Sequence, residues 1–569
     1  MSRTPELPDV HAFGSLIDIL DDAVARHGDA EALGLRRDDD TAEMWSYHDL
    51  RRRAWLAAWR LRHELGLQPG DRLLTWSPST PELPAVYFGA MRAGVIFVPL
   101  DLRMSADAVT RIAERSGATA LAVGTGRDAP DPREAGLTHL PARTVADLAA
   151  EPGDPATAEA WFTEVEGWPR PARPDVFEVI YTSGTTGTPK GVMLTHGGLL
   201  AAIEGAHHII APQEHRVVSL LPLSHLLEQM AALYYALSVG ASILYVRSRN
   251  PRVIFEAIRS HRVTTMVVVP QVLDLFWSAI EREVDQRGRR RLFGLLRRLA
   301  RRLPYRARRL LFRSFHRQFG GGLNLFICSA AFLPPALQQA WEDLGVVVMQ
   351  GYGSTEAGLA TCTTKADHGL GTVGRPIPPN EVRLAEDGEI HVRGPGVTPG
   401  YWQDPETTAA AFDTDGWYHT GDVGRFDQAG HLVLAGRKKN MIVLPNGFNV
   451  YPEDIENALR IAGIRESVVL ETAPGRIEAI VLTPDGGGIP QSGEVRPGQP
   501  LDPATAVALR ERIDAAVKAA NRTLGINQRV AAWRLWPDAD FPRTHTLKVK
   551  RDVMRAWVAA DAAPVETAR

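Results

Sequence analysis

The chain has 569 residues, several times a single core, since domains run roughly 100–200 residues each. Hydrophobic residues at 44% and charged residues at 23% describe a globular chain and not a disordered one. A net charge of −3 argues against a general nucleic-acid binder, and the two cysteines, Cys328 and Cys362, cannot build a disulfide framework, a Cys-rich zinc site or an iron–sulfur cluster.

The run MSRTPELPDVHAF lacks the charged-then-apolar pattern of a secretory signal, and no apolar run approaches the ~18–20 residues that cross a bilayer. A reducing, cytoplasmic compartment is the expectation. Seven lysines occur, leaving 57 of the 64 basic residues as arginine. Against that background a retained lysine marks a place suited to a compact point charge.

In chain order, 72–76 reads as a strand, 81–93 as a helix, 95–100 as a strand, 106–116 as a helix and 119–123 as a strand. Apolar strands alternating with helices predict an α/β sheet covered on both faces. The pattern resumes after a Pro- and acid-rich stretch, 128–174, with strands at 176–181, 217–221, 242–246, 265–269 and 323–328. From about Gly421 short hairpins take over, 424–427 with 431–435 and then 468–472 with 476–482, each around a Gly-containing turn. Helices follow at 452–461 and 503–524, with proline in the first turn, where its missing N–H costs nothing. The Gly/Pro-rich stretch 484–500 reads as a surface loop. The expectation is an α/β protein: a large body, 1–438, and a small α+β domain, 439–569.

The sharpest motif is Tyr181-Thr-Ser-Gly-Thr-Thr-Gly-Thr-Pro-Lys-Gly-Val192, placed after an apolar strand and before a helical pattern at 199–209. Glycines 184, 187 and 191 let backbone N–H groups approach a ligand, while Thr182, Ser183, Thr185 and Thr186 add donors and Lys190 a charge. Nests and helix N-termini hold polyphosphate in this way. The Walker A spacing is absent. Further blocks follow: Leu221-Pro-Leu-Ser-His-Leu-Leu-Glu228, Gln350-Gly-Tyr-Gly-Ser-Thr-Glu356, Trp417-Tyr-His-Thr-Gly-Asp422, Gly436-Arg-Lys-Lys439 and Pro542-Arg-Thr-His-Thr-Leu-Lys548.

Together these resemble the ordered signature blocks of the adenylate-forming (AMP-binding) superfamily, from near Trp45 to Arg551, and most closely its long-chain fatty acyl-CoA synthetases. The resemblance implies ATP, Mg²⁺ and CoA as reactants or cofactor, and a large body with a mobile C-terminal domain. It implies that Thr182, Ser183, Gly184, Thr185, Thr186 and Lys190 cradle the triphosphate. Tyr352 and Gly353 take one face of adenine and Ser329, Ala330 and Ala331 the other. Thr355 reaches the α-phosphate, and Glu356 holds Mg²⁺, a hard cation suited to oxygen ligands. Asp422 and Arg437 bind the ribose, Lys439 is the hinge, and Asn446 and Gly447 approach the pantetheine arm of CoA. His225 and Gly351 border the acyl pocket.

Lys548 is implied as the catalytic cation. A carboxylate must attack the α-phosphorus of ATP, anion on anion, and a positioned ammonium reduces that repulsion. The family usually has glycine immediately before this lysine, where this chain has Leu547, and Arg543 stands where lysine is commoner. The residues alone leave open a ligase that loads a carrier-protein thiol, or one for aryl or other acids.

Between Arg282 and Arg317 stand 14 arginines against two acids, Glu283 and Asp285. The spacing predicts a helix from Pro304 in which Arg306, Arg309, Arg313 and Arg317 recur beside an apolar stripe, Leu303, Ala307, Leu310, Leu311 and Phe315. Such a helix either packs on the body with a solvated basic face or docks on anionic lipid at the inner face of a membrane.

Overall fold

The computed structural model describes residues 7–37, 39, 41–126, 128–182, 189–248, 250–445, 448–482, 503–538, 540–543, 549–560 and 566–567. Two compact units emerge. The first comprises 1–383, 391–420 and 427–432, and the second 384–390, 421–426 and 433–569.

Two sheets organise the first unit. Apolar runs at Arg72–Trp76, Ile96–Pro99, Ala120–Val123 and Val176–Thr182 pair in parallel, with Ala142–Thr144 at one edge and Lys190–Thr195 antiparallel at the other, giving six strands. The second sheet has nine strands and a parallel centre: Val347–Ser354, Leu325–Cys328, Thr265–Val268, Arg216–Ser219, Ser242–Tyr245 and Glu31–Arg36, in that order. Local chemistry sets the helix ends. Ala106–Ser116 starts where the Ser105 hydroxyl accepts the Ala108 N–H and stops at Gly117, whose φ of 61° belongs to the left-handed region.

Two segments of this unit carry structure that the sequence reading leaves unassigned. The stretch 128–174 contains a strand, Ala142–Thr144, and helices Val145–Ala149 and Pro155–Glu166. Asp154 caps the second helix, accepting the N–H groups of Ala156 and Thr157, and proline opens it. Proline and aspartate there mark a helix start. Secondly, the phosphate-loop motif joins two antiparallel strands; the helix His196–Ile209 begins only after Lys190–Thr195, with Thr195 as its cap.

The second unit packs helices Pro452–Ile461 and Pro503–Thr523 on a sheet ordered Ser467–Ala473, Arg476–Val481, Ala532–Leu535 and Glu566–Thr567. Its core includes Ile455, Leu459, Val469, Ala479, Val517 and Trp533. Residues 484–500 lie outside the described residues.

Candidate active site

Strand register decides where the phosphate-loop motif is presented. Thr182 pairs with Lys190, so the connector leaves and returns at the sheet edge between these two half-buried residues. Ser183, Gly184, Thr185 and Thr186 lie outside the described residues. Packing makes a demand of its own on Gly191. A Cβ there would stand 2.8 Å from Val179 Cγ1 and 2.9 Å from the Tyr181 ring, so glycine is required by packing within the hairpin.

Lys190 extends over the ring of Tyr401, its ammonium 5.3 Å from the centroid, a cation–π arrangement that holds the side chain. Burial, and next the charge of Glu356, push the Tyr401 phenol up to about 12. Lys190, Tyr401 and Glu356 thus share one neighbourhood.

What holds them together is a segment the motif reading missed, 398–402. The Thr398 N–H donates to the Glu356 carbonyl at 2.8 Å, and its hydroxyl donates to the Met193 carbonyl at 2.7 Å. Gly400 accepts the Met193 N–H at 3.1 Å, and the Trp402 N–H reaches the Gly191 carbonyl at 2.7 Å. One short strap therefore ties the hairpin to the turn carrying Thr355 and Glu356. Its only sequence signal is the run Thr-Pro-Gly-Tyr-Trp at 398–402, which carries no charged group.

A second group gathers at the carboxyl ends of adjacent parallel strands, where ligands of open α/β sheets sit. Cys328 is in register with Gln350, which places Ser329-Ala330-Ala331 beside Gly351-Tyr352-Gly353. The Ser329 hydroxyl donates to the Gly351 carbonyl at 2.8 Å and fastens the two loops. Ala330 holds a φ of 71°, a strained left-handed conformation of the kind that persists at ligand sites. Tyr352 is only 7% exposed, its ring packed mostly in protein.

Glu356 sits in the turn after this strand, half-buried. Among the described residues its carboxylate meets no hydrogen-bond donor or cation, so both oxygens are available to a hard divalent ion, and the residue fits Mg²⁺. The trio His391, Asp413 and His419 also brings ligand atoms within 4.8 Å of one another. There Asp413 is engaged by Arg383 at 2.6 Å and by the N–H groups of Asp415 and Trp417, and the imidazoles stack 4.2 Å apart, which suits a turn and not a metal.

His225 is held by Asp101, 2.9 Å from its Nε2, while Arg103 grips the same carboxylate at 2.7 Å. Burial opposes ionisation of Asp101, but the hydrogen bonds from Arg103 and His225 outweigh it and keep the carboxyl well below its ordinary range. His225 is thus a fixed, half-buried ring. The nearby Glu228 is fully buried against Ser219, and burial pushes its carboxyl up to about 8.

In the second unit, Arg437 Nε meets Asp422 Oδ1 at 2.7 Å, so the two residues expected at a ribose are an ion pair. Lys439 occupies a one-turn 3-10 helix, Lys438–Asn440. Burial, then the charges of Arg437 and Arg551, lower its ammonium pKa. Lys438 bonds Asp387 at 2.6 Å and Glu389 at 2.7 Å, and Asn440 donates to Glu453 at 2.6 Å, fixing both sides of that turn. Asn446, Gly447 and Lys548 lie outside the described residues.

Residues 20–402 match the family model described as AMP-binding enzyme. The long-chain-fatty-acid–CoA ligase FadD15 of Mycobacterium tuberculosis is 32% identical over 558 residues, 87% of this chain and 88% of that protein. The 3-[(3aS,4S,7aS)-7a-methyl-1,5-dioxo-octahydro-1H-inden-4-yl]propanoyl:CoA ligase of the same organism is 32% identical over 463 residues, covering 78% of this chain and 83% of that protein. Among solved structures, the o-succinylbenzoate CoA synthetase MenE of Bacillus subtilis, in complex with its acyl-adenylate intermediate, superposes with a TM-score of 0.71 at 20% identity, over 96% of this chain and 99% of that one. The fold is that of the adenylate-forming enzymes. The chain belongs to the AMP-binding enzyme family, alongside its fatty-acid–CoA ligases, and is an acid–thiol ligase.

Proposed function

We propose that this ligase activates a long-chain fatty acid with ATP and Mg²⁺ and then transfers the acyl group from acyl-AMP to CoA. The observation that carries the reading is the meeting of Lys190, Glu356 and Tyr401 around the Thr398 strap, at the carboxyl-terminal flank of the phosphate-loop motif.

The roles follow from chemistry. Thr182 to Thr186 and Lys190 hold the triphosphate, and Lys190 is pre-oriented by the Tyr401 ring. Ser329, Ala330, Ala331, Tyr352 and Gly353 receive adenine, and Asp422 and Arg437 receive ribose. Thr355 steadies the α-phosphate. Mg²⁺ bound at Glu356 supplies positive charge against the phosphate oxygens. A fatty acid is ionised at neutral pH, so no base is needed, and Lys548 offsets the repulsion as the carboxylate oxygen bonds phosphorus and pyrophosphate departs. Residues 1–438 carry the nucleotide and acyl machinery, and 439–569 bring Lys548 and the Asn446–Gly447 turn, with Lys439 as hinge. In the second half-reaction the CoA thiolate attacks the acyl carbonyl and AMP leaves.

Gly351 and Ala330, being small, leave the acyl path open, and His225, clamped by Asp101, shapes its wall. A fused-ring acid is the second reading, favoured by the relative named for one. Pyrophosphate release over short, long, aromatic and fused-ring acids, with CoA or a carrier protein as acceptor, tests the proposal. Release with no acid in the panel would refute it; release confined to the fused-ring acid would select the second reading. We further propose peripheral contact with a membrane through the arginine-rich segment 282–317, at the inner face of a cell membrane. Among the described residues no helix is long and apolar enough to cross one.

A further inference from the structure

The arginine-rich segment folds differently from the helix its spacing predicts. Residues 305–318 form two short helices, Tyr305–Leu311 and Arg313–Gln318. Arg309 donates to the carbonyls of Leu323 and Gly321, and Arg308 to those of Leu303 and Glu342, so both work as internal braces. Leu310, expected in the packed stripe, is 73% exposed.

The amphipathic element is instead the preceding helix, Arg290–Ala300. Its inward stripe is Phe293, Leu296 and Ala300, packed on the core beneath the nine-stranded sheet. Arg297 on that side pairs with fully buried Asp343 at 3.1 Å. A second apolar stripe has no cover among the described residues: Leu292, Leu295 and Leu299, at helical spacing, are 52%, 57% and 51% exposed. Beside it run exposed Arg291, Arg298 and Arg302. Leucines bordered by a row of arginines, on a helix anchored by its opposite side, have the form of an element lying in a membrane interface.

We propose that helix Arg290–Ala300 is the docking face of the protein on an anionic lipid bilayer, Leu292, Leu295 and Leu299 entering the headgroup boundary and Arg291, Arg298 and Arg302 meeting lipid phosphates. The inference rests on the reading of a fatty-acid ligase with peripheral membrane contact and names the element and the lipid class. Charge selects the occupant. A second copy of the chain would set like-charged arginine rows against each other, and an acidic macromolecule would leave the leucines in water. A negatively charged bilayer satisfies both stripes.

Vesicle flotation of the full chain tests this, using phosphatidylcholine alone and phosphatidylcholine with about 30% phosphatidylglycerol, at ~0.1 M salt. The protein should float with the anionic vesicles and bind the neutral ones at least ~10-fold more weakly. Arg291→Gln, Arg298→Gln and Arg302→Gln together should weaken anionic binding roughly 100-fold. Replacing the three leucines by serine should weaken it about 10-fold or more. Both triple variants lie on an exposed face and should keep vesicle-free pyrophosphate release within about twofold, as should the wild type without lipid. Ligase activity without flotation would overturn the docking proposal and leave the enzymatic reading standing; flotation without pyrophosphate release would do the reverse. Binding that needs the arginines but ignores the leucines would assign the face to an acidic macromolecule, and a larger loss from Arg306→Gln, Arg313→Gln and Arg317→Gln would move it off this helix. Either result refutes the proposal.

Discussion

Replacing Thr398 by valine isolates the strap that assembles the site. The two side chains have nearly the same shape, so no cavity opens and the lost hydroxyl is the whole perturbation. That hydroxyl is buried, lies 2.7 Å from the Met193 carbonyl and 2.9 Å from the Gly400 carbonyl, and accepts the Gly400 N–H at 3.1 Å. Valine leaves the Gly400 N–H without its acceptor and the Met193 carbonyl without its donor. Each such buried group costs about 1–3 kcal/mol, so the native strap loses roughly 2–4 kcal/mol after local adjustment. The Thr398 N–H also fixes the Glu356 carbonyl, so a displaced strap loosens the proposed magnesium carboxylate. Misplacement of that size slows chemistry by about 10²-fold. ATP–pyrophosphate exchange at saturating acid should fall by about that factor, with the melting temperature lowered by a few degrees. Thr398→Ser, which keeps the hydroxyl, should restore most of both. An exchange rate within about twofold of wild type in the valine variant, alongside the lower melting temperature, would refute the link between strap and catalysis.

Other expectations follow from the same structure. Lys548→Ala should slow adenylation by ~10²–10³ while thioester formation from preformed acyl-AMP stays nearly intact; equal losses in single-turnover measurements of the two steps would contradict its role. Glu356→Gln should raise the magnesium concentration for half-maximal exchange at least ~10-fold, read from a metal titration, because a neutral amide replaces a charged oxygen ligand. Glu178 and Glu228 are fully buried, and burial pushes each carboxyl up to about 8. Folding therefore retains protons that the unfolded chain releases near pH 4.5, and stability must fall as pH rises from there toward 8. Glu178→Gln or Glu228→Gln should flatten that slope and leave the protein more stable than wild type at pH 7.5 by an order of 2–4 kcal/mol, with little difference near pH 5. Parallel melting curves at the two pH values would count against the buried, proton-bearing state.

Much of this architecture is written locally. The helix Ala106–Ser116 has its cap, its apolar spacing and its terminal glycine within the same short run, and its bounds are those the sequence predicts. The helix Pro452–Ile461 is equally plain, with proline at its first turn. The phosphate-loop motif is flanked as the sequence predicts, by a strand before it and a helix over 199–209 after it, but the strand Lys190–Thr195 between them is not written locally. Whether the residues after Lys190 continue as helix or strand depends on pairing with Val176–Thr182, and that partner is not signalled in 190–195 itself.

From sequence alone come the alternation that predicts an α/β body, the ordered blocks that mark an adenylate-forming enzyme, and the lysines and acids proposed for its chemistry. These are matters of composition, short-range spacing and charge, which a chain carries before it folds. Tertiary structure alone decides that Gly191 serves packing, that Thr398 ties Glu356 to the hairpin, and that Asp422 is paired with Arg437. It also decides that the bare leucine stripe lies on Arg290–Ala300, while Leu310 alone is left exposed on the helices after Pro304. Each is a meeting of residues distant along the chain, or a choice of which stripe of a helix faces the core, and a spacing rule within one segment holds no information about what that segment will be pressed against.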